Sequence, residues 1–165
     1  MKRIFYILLM NILYFSCNPT RPCMDSNLIP AFTGYSNSND FNSIIFRAYH
    51  QNGKFDQLMD TLFITDIQPN QLISGDTLYF WLSGNTTSQN HYRVLGPGYD
   101  WEIFLPESKK TFQISNIVNH QSEGQGRSCL NEISSCKING EKIYPIFSGF
   151  RIGYPRGFIV NIKYQ

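Results

Sequence analysis

Between Phe41 and His50 the side chains alternate in character at every second position, and that period of two is the tightest constraint the sequence places on its own fold. Ile44, Phe46 and Ala48 fall on one face of an extended segment, and Ile45, Arg47 and Tyr49 on the other. Short runs of the same kind return at Asp60–Thr65, Asp76–Leu82, His91–Leu95, Tyr99–Leu105, Thr111–Val118, Ser135–Ile138, Lys142–Phe147 and Phe158–Tyr164. Asn52-Gly53 and Asn139-Gly140 supply the dipeptide that best accepts the positive φ angles of a tight hairpin. No window has a helical period; Phe55, Leu58 and Met59 make one helical turn at most. Many short strands separated by turn residues predict an all-β sandwich or barrel, here of about seven to nine short antiparallel strands.

The 165 residues are 42% hydrophobic and 15% aromatic but only 16% charged, which excludes a disordered tail, a collagen-like repeat and a coiled coil. A chain of this length makes one domain, buries about two-thirds of its surface and needs no cofactor to fold. The formal net charge is +2, and Lys2 and Arg3 account for all of it, so nothing favours a nucleic-acid partner.

Met1-Lys2-Arg3 opens the chain with positive charge, and Ile4–Phe15 is then apolar except for Asn11. That run is too short for a bilayer-spanning helix, which needs about 20 apolar residues, and fits the core of a secretory signal. Ser16-Cys17 follows, and the composition then turns polar at Asn18-Pro19-Thr20-Arg21-Pro22. A small residue before a cysteine at the end of such a core resembles the lipobox of bacterial lipoproteins, in the relaxed form of small Bacteroidota lipoproteins. Tyr14 stands where that family usually has Leu, and Phe15 is bulkier than usual. The resemblance implies a signal over 1–16, cleavage before Cys17, a diacylglycerol on its thiol and a lipidated tether over 17–27. The domain then occupies 28–165, attached to the bacterial outer membrane through Cys17 at its periplasmic face or at the cell surface. An ordinary signal peptide cut nearby is the other reading.

Export permits disulfides. With Cys17 acylated, Cys23, Cys129 and Cys136 remain. Cys129 and Cys136 enclose six residues and are expected to pair within one hairpin or loop; a bond from Cys23 to either is the alternative. With Cys17 free, three pairings of the four cysteines are open. No CxxC pair or neighbouring histidine suggests zinc.

Ile73-Ser74-Gly75-Asp76-Thr77-Leu78-Tyr79-Phe80 resembles the Gly-Asp-Thr turn leading into an early strand of bacterial immunoglobulin-like modules. Tyr99–Pro106 followed by Lys110–Ser115 resembles a later hairpin of the same domains. The likeness implies an immunoglobulin-like β-sandwich and is silent on activity.

Catalytic signals are sparse. G-x-S-x-G and HExxH are absent, and the three histidines, His50, His91 and His120, sit near strand ends or loops. Gly124–Ser128 lacks the strand and helix of a phosphate loop, and Asn37–Asp40 lacks the Asp series and closing Glu of a calcium loop, fitting a side-chain-bonded turn instead. The expectation is a protein that is not an enzyme and holds no metal or cofactor.

Aromatic placement gives the one positive signal. Tyr79 and Trp81 lie opposite Leu78, Phe80 and Leu82; Phe63 has the offset of Tyr79 in the parallel Asp-Thr-Leu run; Tyr49 shares the polar face of its strand with Arg47. If their strands are neighbours, Tyr49, Phe63, Tyr79 and Trp81 form a strip for sugar rings or a partner protein, although Trp81 fits burial between sheets as well. Trp101, in register with Tyr99, Ile103 and Leu105, reads as core. Asp60-Thr61-Leu62 and Asp76-Thr77-Leu78 resemble the O-glycosylation acceptor of Bacteroidota and equally fit plain strand starts. The sequence thus leads to a lipid-anchored envelope protein binding a protein or polysaccharide, with a structural adhesion or surface-layer role, and a hydrolase or inhibitor, as alternatives.

Overall fold

The computed structural model describes residues 21–23, 25–65, 71–74, 76–80, 95–124, 129–148 and 157–164. In chain order its strands are β1 (Arg21–Pro22), β2 (Leu28–Thr33), β3 (Ser43–His50), β4 (Leu58–Thr65), β5 (Gln71–Ser74), β6 (Thr77–Phe80), β7 (Tyr99–Leu105), β8 (Lys110–His120), β9 (Glu123–Gly124), β10 (Glu132–Ile138), β11 (Glu141–Ile143), β12 (Ile146–Phe147) and β13 (Phe158–Lys163). A six-stranded sheet runs β11-β10-β8-β7-β3-β4, a five-stranded sheet β12-β13-β2-β6-β5, and β1 pairs with β9 in a separate ribbon. The fold is an all-β sandwich. Its strands outnumber the seven to nine expected because β1, β2, β5 and β9 are too short or too evenly apolar to show alternation.

The period of two decides the packing. Ile44, Phe46 and Ala48 of β3 and Trp101, Ile103 and Leu105 of β7 point inward, against Phe32, Leu78, Phe80, Val160 and Ile162 of the smaller sheet. Phe46 stacks on Phe80 with ring centroids 5.9 Å apart, and Phe32 meets Phe112 edge-on at 5.4 Å, so rings from both sheets interlock. The indole N–H of Trp101 donates to the Gly96 carbonyl at 2.8 Å, which satisfies its one polar atom in the core.

Several expectations need correction. β2 and β13 pair in parallel, from Phe158↔Leu28 to Lys163↔Thr33, where only antiparallel strands were expected. The run Lys142–Phe147 is two strands in different sheets, parted at Pro145, which has no N–H to give to a ladder. Asn52-Gly53 lies in the longer loop between His50 and Leu58 and makes no two-residue turn there. Asp100, fully buried, accepts the N–H groups of Asn52 and Gly53 at 3.0 and 2.5 Å and fixes that loop from the neighbouring strand. Leu58 and Met59, offered as a helical turn, begin β4; the 3-10 turn lies at Ser38–Phe41, where Asn37 Oδ1 accepts the Asn39 N–H at 3.0 Å. Asn139-Gly140 does form the tight β10–β11 turn, with φ of 48° and 88°.

The disulfide also departs from expectation. Cys129 bonds Cys23, not Cys136, across a separation of 106 residues. The span between Cys129 and Cys136 runs into extended β10, whose Glu132–Cys136 stretch alone covers about 13 Å. A disulfide bridges Cα atoms up to about 7 Å apart, so the strand carries Cys136 out of reach and into the core, where it stays a free thiol 1% exposed.

Candidate binding surface

The disulfide belongs to a larger clasp on the N-terminal segment. β1 pairs with β9, and the Cys23 N–H donates to the Ser122 carbonyl at 2.9 Å. Buried Asn131 donates through Nδ2 to Asp25 Oδ1 at 2.8 Å and to the Cys23 carbonyl at 3.3 Å, and its Oδ1 accepts the Ser122 N–H at 3.0 Å. Ser26 adds a 2.5 Å bond to the Asn131 carbonyl. The stretch read from sequence as a tether is therefore bound to the domain from Arg21 onward.

The outer face of the larger sheet carries two of the four aromatics singled out in the sequence. Phe63 of β4, Ile45 of β3 and Phe104 of β7 are direct cross-strand partners in one apolar row, with Phe63 69% exposed. In the next row with the same orientation come Thr61, Arg47 and Glu102; Arg47 and Glu102 form an ion pair, and the Arg47 guanidinium lies 5.4 Å from the centre of the Phe104 ring. Tyr49 lies one row further on, edge-on to Phe55 at 5.5 Å. Partial burial raises the Tyr49 phenol above its usual range, the Glu102 carboxylate adds to that, and Arg47 opposes it.

Tyr79 does not join them. It lies in β6 between Ala31 of β2 and Leu72 of β5, with Leu78 and Phe80 turned into the core, so it sits half-buried on the outer face of the opposite sheet. The Asp-Thr-Leu runs of β4 and β6 share an offset but not a sheet, and no continuous strip arises. Trp81, Cys17 and His91 lie outside the described residues, as do the His91–Val94 part of one expected strand, residues 1–20 of the expected signal and tether, and residues 125–128 of the glycine-rich loop. His50 and His120 are both exposed at strand ends, and among the described residues no three His, Cys, Asp or Glu side chains converge as metal ligands do.

What sequence reasoning missed is the edge. β4 ends the larger sheet, and among the described residues no strand pairs with its outer side. Three large apolar residues of this strand are exposed: Leu58, Met59 and Phe63. Its one charged residue, Asp60, is half-buried and accepts the Thr61 N–H through its own side chain. These eight residues have no lysine or proline; the guards they do carry are a bulge at Met59 and Asp60, which lies opposite inward-facing Ala48. Neither a family model, nor a curated protein, nor a solved structure matches this chain.

Proposed function

We propose that the chain is an exported, lipid-anchored protein of the bacterial cell envelope, acting without chemistry of its own, whose immunoglobulin-like domain captures a protein partner along β4. The observation that carries this reading is the outer side of β4, unpaired among the described residues, with Phe63 standing out beside it. A free edge offers a row of backbone N–H and C=O groups to an extended segment, and side-chain contacts beside it select the sequence of that segment. Phe63, Ile45 and Phe104 supply the apolar contact, and the Arg47–Glu102 pair a polar border. Tyr49 and Phe63 lie in rows separated by that ion pair, an arrangement better suited to a protein than to a run of sugar rings. The Cys23–Cys129 bond supports an oxidising compartment outside the cytoplasm, and two face-packed sheets support the immunoglobulin-like reading.

The test is a photo-crosslinking residue placed at Phe63 in living cells, with Tyr79 on the opposite sheet as the comparison. A discrete adduct at position 63 that Thr61→Lys abolishes, with none at position 79, is the expected result. Equal labelling at both positions, or none at either, overturns the edge as the docking site. The anchor is tested separately by the intact mass of protein from native membranes, expected to begin at Cys17 with acyl chains attached.

A further inference from the structure

A cleft of about 600 Å³ opens between residues of both sheets: Thr33, Thr77, Asn161, Ile162 and Lys163 from the smaller, Ile138, Asn139, Glu141 and Ile143 from the β10–β11 hairpin of the larger. Its size lies within the range of about 300–1,000 Å³ typical of small-molecule sites. Thr33, Thr77 and Lys163 are cross-strand partners in one row over β6, β2 and β13. Ile143 is half-buried, while Ile138 and Ile162 belong to the core and keep almost no accessible surface, so the cleft is lined mainly by polar groups.

Its charges are the informative part. Glu141 and Lys163 both line the cleft, yet they are not bridged to each other, since the ion pair formed among the described residues is Arg47–Glu102. Opposite charges held on one cleft without meeting suit a ligand that brings the complement of each. Among the described residues no aromatic ring lines the cleft to stack on a sugar. A simple anion or cation would satisfy one and be repelled by the other. We infer that this cleft binds a small zwitterion of short-peptide size, its carboxylate at Lys163 and its ammonium at Glu141, with half-buried Ile143 as its apolar contact. Thr33 and Asn161 add hydrogen-bonding side chains to the lining, while the Thr77 hydroxyl donates to Asp76 Oδ1 at 3.2 Å. The site is independent of the β4 edge and does not rest on the anchor.

The experiment is calorimetric titration of the purified protein with trialanine, N-acetyl-trialanine and trialanine amide. Free trialanine is expected to bind, and capping either terminus to weaken binding roughly tenfold, the loss of one charge-assisted contact. Glu141→Gln is expected to cost the same for trialanine and nothing further for the N-acetyl form; Lys163→Gln is expected to do likewise for the amide. Both side chains are exposed, so an unchanged thermal unfolding midpoint certifies the fold of each variant. Failure of trialanine to bind at millimolar concentration overturns the inference. So does equal binding of the capped peptides, or indifference to both variants.

Discussion

Asp100 is the most demanding single residue in the molecule. It is a carboxylate with no exposure, and its Oδ2 takes the N–H groups of Asn52 and Gly53 while its Oδ1 has no hydrogen-bond partner. Those two charge-assisted bonds hold the β3–β4 loop, and removing the acceptor strands both donors. Asp100→Ala is therefore expected to lower the unfolding free energy by about 3 kcal/mol in a denaturant titration, and Asp100→Asn by less, since an amide oxygen still accepts. Cys136 is demanding in a different way. Burial pushes its thiol from an ordinary 9.0 up to about 11, so the folded state holds the proton more tightly than the unfolded chain. The sign follows: stability contributed by this group is complete below about pH 9 and is lost as pH rises through about 11. Alkylation of the native protein at pH 8 is expected to leave Cys136 unmodified until denaturant is added, because the thiolate is the reacting species. Rapid labelling under native conditions would show that the thiol is not held in the core.

At the scale of elements, the clasp and the hairpin turn are the features that close the fold. Gly124 lies so near the disulfide that a Cβ there would meet Cys129 Sγ at 2.7 Å and Cys23 Sγ at 3.3 Å, so β9 can pass beside the bond only as glycine. Replacing Cys23 and Cys129 together with Ser removes a cross-link spanning 106 residues, and the chain-entropy view places the loss at about 4–5 kcal/mol. The oxidised protein is expected to show that difference in its denaturant midpoint, and reductant to abolish it. In the β10–β11 turn, Asn139 has φ of 48° and its Oδ1 accepts the Gln113 N–H at 2.8 Å, joining the turn to β8. Asn139→Ala loses both the tolerance of that backbone and the bond, and is expected to cost about 2 kcal/mol. On β4, Thr61→Lys is expected to lower stability by no more than about 1 kcal/mol, the cost of a like charge opposite Arg47, while ending partner capture, because it guards the edge without touching the core.

Over the whole molecule, the two ends of the domain are brought side by side: β13 pairs with β2, and Phe158, Val160 and Ile162 enter the same core as Phe32 and Leu78. Tyr164 completes that closure, its hydroxyl donating to Asp40 at 2.5 Å and its ring lying 3.9 Å from the Lys110 ammonium. A chain ending at Phe147 loses the strand between β2 and β12 and is expected to show no cooperative unfolding transition by circular dichroism. Much of this architecture was legible beforehand. Where neighbours along the chain set the answer, as in the alternation of Ser43–His50 and Tyr99–Leu105, the buried Trp101 and the turn at Asn139-Gly140, the sequence determined fold class, strand faces and core, because a period of two and a positive φ are local properties. Partnership at a distance was decided only by the tertiary structure. The parallel β2–β13 pair, Cys23 rather than Cys136 as the mate of Cys129, Phe63 and Tyr79 on different sheets, and Glu141 and Lys163 on one cleft all depend on which strands become neighbours. That choice comes from burying the whole apolar surface at once, and no short stretch of residues encodes it.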